Sequence, residues 1–197
     1  MVTLNKIYTK AGDGGKTRLG DNSEVEKTDI RVDAYGEVDE LNTCLGIALF
    51  YAGDDELLSA LLKQIQNDLF DLGADLCWPI ESTVEGVPRL SVTDAQVVNL
   101  EEQIDEFNKS LETLRSFVLP GGSILAGNLH LARAVCRRVE RRIWSLGQKE
   151  DLNGNIAVYL NRLSDLLFVL ARYANDNGKS DVLWVPGGGE AGESDRR

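Results

Sequence analysis

Histidine is all but absent from this 197-residue sequence: His130 is the only one. The shortage removes the side chain most used for proton transfer, and it excludes a di-iron helix bundle, which needs a Glu-x-x-His pair on each of two helices. The residue three before His130 is Gly127, so even half of such a motif is missing, and His130 reads as a structural residue. Cysteine is scarce as well. Cys44, Cys77 and Cys136 are odd in number, far apart and set among apolar neighbours, a pattern of buried free thiols rather than disulfides or a metal site. No run of about 18 apolar residues occurs and none follows the first methionine, so the expectation is a soluble, cytoplasmic protein with no membrane partner. Basic charge is short too: 21 Lys and Arg face 32 Asp and Glu, a net charge of −11, which argues against a nucleic-acid partner. On so acidic a chain an anion such as ATP can be held only where cations are gathered locally.

What is present is helical periodicity. Val38, Leu41, Leu45, Ala48 and Leu49 recur at three- and four-residue spacing from about residue 34, and Leu58, Leu61, Leu62, Ile65, Leu69 and Leu72 repeat the pattern. A third segment runs from Thr93, an N-cap candidate, to Leu114, a fourth over about 122–148 and a fifth over about 153–176. Convincing strands are absent. Five amphipathic helices with short connections predict an all-α fold, a five-helix antiparallel bundle in one domain over residues 1–185. Residues 79–92 read as a surface loop, and residues 186–197 as a flexible tail too poor in apolar residues to order itself.

The segment Tyr8-Thr9-Lys10-Ala11-Gly12-Asp13-Gly14-Gly15-Lys16-Thr17 gathers three glycines, two lysines and two threonines. Such a backbone can fold into a concave nest of N–H groups flanked by ammonium and hydroxyl donors, the chemistry a polyphosphate needs. It is not a P-loop: Gly15-Lys16-Thr17 supplies the last three positions, but the first glycine would fall on Lys10. A phosphate-binding loop of another kind and an ordinary glycine-rich turn both remain open from this segment alone.

A second cation cluster lies in Arg133-Ala134-Val135-Cys136-Arg137-Arg138-Val139-Glu140-Arg141-Arg142. At about 100° per residue, Arg133, Arg137, Glu140 and Arg141 share one face, with Arg138 and Arg142 toward the opposite side. Such a row is either a solvated surface pairing with neighbouring carboxylates or an anion site, and the use of arginine throughout favours bidentate work on carboxylates or phosphates. Glu37, Asp39 and Glu40 fall near the start of the first predicted helix. They stabilise that start, or else Asp39 or Glu40 orients an arginine of the row through a buried ion pair.

Together these pieces resemble the PduO-like ATP:cob(I)alamin adenosyltransferases, helix-bundle trimers. The matching stretches are Ile7-Tyr8-Thr9-Lys10-x-Gly12-Asp13-x-Gly15-x-Thr17, Lys27-x-Asp29-x-Arg31, Ala34-Tyr35-Gly36-x-Val38-Asp39-Glu40-Leu41-Asn42, Phe117-x-Leu119-Pro120-Gly121-Gly122, Arg133-x-x-Cys136-Arg137-Arg138-x-Glu140-Arg141 and Tyr159-Leu160-Asn161-Arg162-Leu163-Ser164-Asp165. Their order and separation cover nearly the whole chain. The resemblance implies ATP sites between the subunits of a homotrimer, with an N-terminal ATP-binding loop over about 8–31. Thr9, Lys10, Gly12, Asp13, Gly15, Thr17 and Lys27 would hold the phosphates or shape their loop, joined by Arg137, Glu140 and Asn161, with magnesium carried mainly on the phosphates. Arg133 would pair with Asp39 across the subunit interface, and Phe117 would press on the lower face of the corrin to keep the lower axial ligand off cobalt. Glu24 stands where many relatives place a basic residue, and residues 79–92 follow no pattern of the family.

The activity so implied is transfer of the 5′-deoxyadenosyl group of ATP to cob(I)alamin, giving adenosylcobalamin and triphosphate. Cobalt freed of its axial donor is easier to reduce, and the resulting Co(I) attacks C5′ of ATP in line, so alignment and stabilisation of the leaving group are what the protein must supply. No proton moves in that step, which suits a chain with one histidine. A cobalamin reductase and an adenosylcobalamin-dependent enzyme are the partners such a reaction needs. The competing expectation is a non-catalytic ATP-binding regulator or cobalamin escort, which would have no use for an aromatic aimed at a corrin.

Overall fold

The computed structural model describes residues 7–187. Among the described residues five helices form: α1 (Ile30–Ala52), α2 (Glu56–Cys77), α3 (Asp94–Asn108), α4 (Ile124–Gly147) and α5 (Gly154–Tyr173). Each begins where a short polar side chain takes up a free N–H of the first turn: Asp29, Asp55, Thr93, Ser123 and Asn153 accept from Arg31, Leu58, Gln96, Ala126 and Asn155. At α3 the bond is reciprocal, with Gln96 returning to the Thr93 backbone.

Three boundaries differ from the periodicity. Asp29 caps α1 earlier than residue 34, so Glu37, Asp39 and Glu40 sit about two turns in, beyond the reach of the helix dipole that would favour them at a helix start. α3 ends at Asn108 rather than Leu114, and the chain crosses from there to Ser123 as a loop. Strands, expected nowhere, occur once among the described residues, as an antiparallel hairpin of β1 (Lys16–Arg18) and β2 (Glu24–Glu26), with Thr17 opposite Val25. Three-residue strands with charged ends leave no alternation to read. Of the expected tail, Pro186 and Gly187 are described, and residues 188–197 lie outside the described residues.

Successive helices run antiparallel. α1 packs on α2 and α4, α4 on α5, and α5 on α3. Asn155 reaches Val92, Arg162 reaches Glu101 and the Tyr173 ring meets Phe107, so α3 and α5, two apart in the chain, run parallel. Leucines from all five helices fill one core. Two buried carboxylates cross-link it. Asp68 accepts from Gln64, Gln96 and the Tyr159 hydroxyl at 3.0–3.1 Å, and Asp75 accepts from Arg89, the Val92 N–H and Asn153 at 2.7–3.0 Å. Burial and the Asp68 charge push the Tyr159 phenol well above its ordinary range, so it stays a donor.

At one end of the bundle, Arg31 is buried and donates to Glu150 at 3.0 Å and to the Leu76 carbonyl, tying the start of α1 to the ends of α2 and α4. Of the three thiols only Cys136 is buried; Cys44 and Cys77 are half-buried, because they stand at the edge of their helices' apolar faces. Burial pushes all three thiols up, which keeps them unreactive.

Candidate functional site

The glycine-rich segment folds as a chain of tight turns. The Asp13 N–H donates to the Lys10 carbonyl at 3.3 Å, Gly15 to Gly12 at 3.2 Å, and Lys27 to Gly15 at 2.8 Å, so the return strand closes the loop. Gly15 holds φ +85°, a backbone that side chains resist. A Cβ on Gly12 would stand 3.0 Å from the Lys27 ammonium, so Lys27 lies across the loop. Thr9, Lys10, Gly12, Asp13, Gly15 and Lys27 are thereby gathered. Thr17 sits in β1, opposite Val25 of β2, and burial pushes the Tyr35 phenol of α1 up. Lys10 and Lys27 make no ion pair among the described residues, whereas Lys16 is paired with Glu24 at 2.9 Å.

The arginines of α4 separate by face. Arg142 donates to Glu37 at 3.0 Å, and Arg138 pairs with Glu40 and lies 3.8 Å from Glu37. These acids of α1 thus neutralise the two arginines off the row. The expected buried pair between Glu40 and a row arginine is not formed within the chain, since Glu40 is exposed and faces Arg138. Arg133, Arg137 and Arg141 make no ion pair among the described residues. Burial pushes the Arg133 guanidinium below its ordinary range and the charge of Arg137, one turn on, adds to the shift; the buried Arg133 Nε has no hydrogen-bond partner among the described residues. Like charges at i and i+4 repel, so the row costs stability until an anion meets it. Beside it Glu140 accepts from Asn161 at 3.1 Å, and Asn161 accepts from Arg162 at 2.7 Å. The row opens on a cleft of about 500 Å³ between α3, α4 and α5, lined by Arg133, Arg137, Ser164, Asp165, Phe168 and Arg172.

Phe117 stands on the loop that crosses from α3 to α4, 77% exposed. Its backbone is held: the Trp184 N–H donates to the Phe117 carbonyl at 2.7 Å, Leu119 donates to Val182 at 2.8 Å, and the Trp184 ring lies 6.0 Å from the Phe117 ring. Behind it, buried Asn175 donates to Gly121 and Asp181 and accepts from the Ser123 N–H, while Arg172 binds Asp181 at 2.8 Å. Any Cβ on Gly122, at φ +101°, would fall 2.1 Å from Asn175, which explains the glycine at that position. Trp184, Asn175, Asp181 and Arg172 were not found by sequence reasoning; only the adjacent Gly121-Gly122 signalled a close approach at this point.

His130 is buried against Phe168, and neither ring nitrogen has a hydrogen-bond partner among the described residues. Burial, with the Arg133 charge, pushes the imidazole below its ordinary 6.5, and Asp181 opposes the shift. A base with a depressed folded pKa contributes stability that is whole above the unfolded value and is lost as pH falls below it. The thermal midpoint of the wild type should therefore fall more steeply than that of His130→Leu as the pH drops below about 6.5. Parallel slopes would show that the imidazole titrates as it does in water.

Within one chain the two cation clusters do not meet. The hairpin is fixed to the start of α1 and the end of α2, where Arg31 also gathers the end of α4. Arg133 lies 14 residues before the last residue of α4, about 21 Å along the axis. Asp39 is exposed and lines a groove of α1 and α2 with Tyr35 and Phe70, while Arg133 faces α3 and α5.

Residues 7–174 match the sequence profile of the cobalamin adenosyltransferase family. The chain is 48% identical over 191 residues to the corrinoid adenosyltransferase of Mycobacterium leprae, covering 95% of this chain and 99% of that one. Among solved structures it resembles a phenylalanine-to-alanine variant of the PduO-type ATP:corrinoid adenosyltransferase of Lactobacillus reuteri, complexed with cobalamin and ATP. That match has a TM-score of 0.85 and 41% identity, and covers 91% of this chain and 99% of that one. An arginine-to-lysine variant from the same organism, complexed with ATP, gives a TM-score of 0.83 at 40% identity, covering 91% and 100%.

Proposed function

Because the chain belongs to the cobalamin adenosyltransferase family, we propose that it transfers the 5′-deoxyadenosyl group of ATP to the cobalt of cob(I)alamin. The observation that carries the reading is the sorting of the α4 arginines: those toward α1 are neutralised, and Arg133, Arg137 and Arg141 make no ion pair among the described residues of a chain of net charge −11. A triphosphate supplies the missing counter-charge. Co(I) donates an electron pair to C5′, the cobalt–carbon bond forms as the C5′–O bond breaks, and the pair leaves on triphosphate, where arginine and lysine stabilise it. Lys10 and Lys27, with the turn N–H groups, hold the phosphates in line with the corrin. Magnesium is assigned to the phosphates, where it would carry part of the leaving-group charge.

Since loop and arginine row lie on different parts of one chain, the site is read as shared between copies, the loop of one facing the row of the next in a homotrimer. Asp39 of one copy then meets Arg133 of its neighbour, two groups with no ion pair of their own among the described residues. Phe117 is assigned to the lower corrin face. The phenylalanine and arginine replaced in the Lactobacillus reuteri variants stand twenty positions apart, the separation of Phe117 and Arg137 here.

Anaerobic spectroscopy of the protein with chemically reduced cob(I)alamin and Mg-ATP tests the reaction. The expected result is loss of the Co(I) band, growth of the adenosylcobalamin spectrum and one triphosphate per product. ATP binding without conversion would replace this reading with that of a nucleotide-binding escort.

A further inference from the structure

We infer that Trp78, the residue capping the end of α2, is a positioning residue that seats the ATP loop; the inference rests on the reading of residues 8–31 as that loop. A two-stranded ribbon of three-residue strands is at best marginal in water, so the hairpin carrying Lys27 needs an external support. Its tip has one. The Gly20 N–H donates to the Cys77 carbonyl at 2.8 Å, and the Gly20 backbone lies so close on the indole that a Cβ there would fall 2.7 Å from Cε3. Leu19 beside it is buried.

The indole is itself held. Its Nε1–H donates to the Ser82 carbonyl at 2.9 Å, and the Ser82 hydroxyl donates to the Pro79 carbonyl at 3.1 Å. The loop over residues 79–92 is anchored in turn by Arg89, which binds buried Asp75 at 2.7 Å and reaches the Pro79 carbonyl at 3.4 Å. A continuous path therefore runs from the core carboxylate through the 79–92 loop and Trp78 to Gly20. From there the hairpin register leads to Lys27, whose N–H closes the glycine loop and whose ammonium lies over Gly12. That segment, which follows no family pattern, is by this account the outer wall of the seat.

Trp78 touches no reacting atom, so its loss should be felt where loop placement matters and little elsewhere. Trp78→Ala should raise KM for ATP about tenfold, with kcat at saturating ATP and KM for cobalamin within about twofold of wild type. Trp78→Phe, which restores a flat ring, should recover most of the loss. Gly20→Ala, which drives a methyl into the same ring from the other side, should reproduce the alanine signature with the indole intact. Wild-type KM for ATP in both Trp78→Ala and Gly20→Ala would overturn the inference. So would KM for both substrates and the thermal midpoint worsening together, since that marks a merely structural residue. Calorimetry of the wild type with Mg-ATP separates the two levels: absence of binding there overturns the reading of the loop itself.

Discussion

Phe117→Ala should leave Mg-ATP affinity within about threefold of wild type and lower adenosylation of cobalamin that starts as Co(II) on the order of 100-fold, about 2.7 kcal/mol of barrier. The residue is 77% exposed and its ring lies 6.0 Å from that of Trp184, so its removal opens no core cavity and should change stability by no more than about 0.5 kcal/mol. An aromatic this exposed on a loop this firmly held has a reason outside the chain's own packing. Asn175, Asp181 and the pairing with residues 182–184 fix its backbone, so the ring is presented and not merely left over. In the proposed reaction the ring displaces the lower axial ligand, which makes Co(II) reducible. The electron paramagnetic resonance signal of four-coordinate Co(II), expected with wild type and ATP, should be lost in the variant. If cob(I)alamin is supplied already reduced, the deficit should shrink, because the step that needs the ring has been bypassed. Loss of ATP binding, or an unchanged Co(II) signal, would refute the assignment.

How far the sequence led depends on the range of the interaction. Leu41, Leu45, Leu62, Leu69, Leu163 and Leu167 announce their helices because a 3.6-residue period is written locally, and Thr93 announced its cap because the partner, Gln96, is three residues away. The arginine row was legible for the same reason: Arg133, Arg137 and Arg141 share a face by spacing alone. What the spacing could not reveal is which arginines are already satisfied. Glu37 and Glu40 lie about 100 positions from Arg142 and Arg138, and only the packing of α1 on α4 brings them together. The same blindness covers the seat of the hairpin, where Gly20 meets Trp78 across almost sixty residues, and the pairing of Phe117 with Trp184. β1 and β2 were missed because a strand of Lys-Thr-Arg against Glu-Val-Glu is held by its turn and by the bond from Gly20 to Cys77, with no apolar alternation of its own.

Arg137→Lys separates charge from geometry at the centre of the row, and kcat should fall on the order of 100-fold, about 2.7 kcal/mol, while KM for ATP moves less than about fivefold. Lysine keeps the positive charge, so ground-state attraction of the triphosphate survives. What it lacks is the planar fork that can hold two oxygens at once as negative charge builds on the leaving group. The Arg137 guanidinium is exposed and makes no ion pair among the described residues, and its charge disfavours that of Arg133 one turn away. Its presence therefore brings no stability to the free protein. Arg137→Gln, which removes the repulsion, should unfold at no lower temperature than wild type and yet turn over still less than the lysine variant. A residue retained at a cost to the free chain and needed only with ATP in place is what a leaving-group stabiliser must be. Wild-type turnover in Arg137→Lys, or a fall in stability in Arg137→Gln, would assign Arg137 to the fold instead.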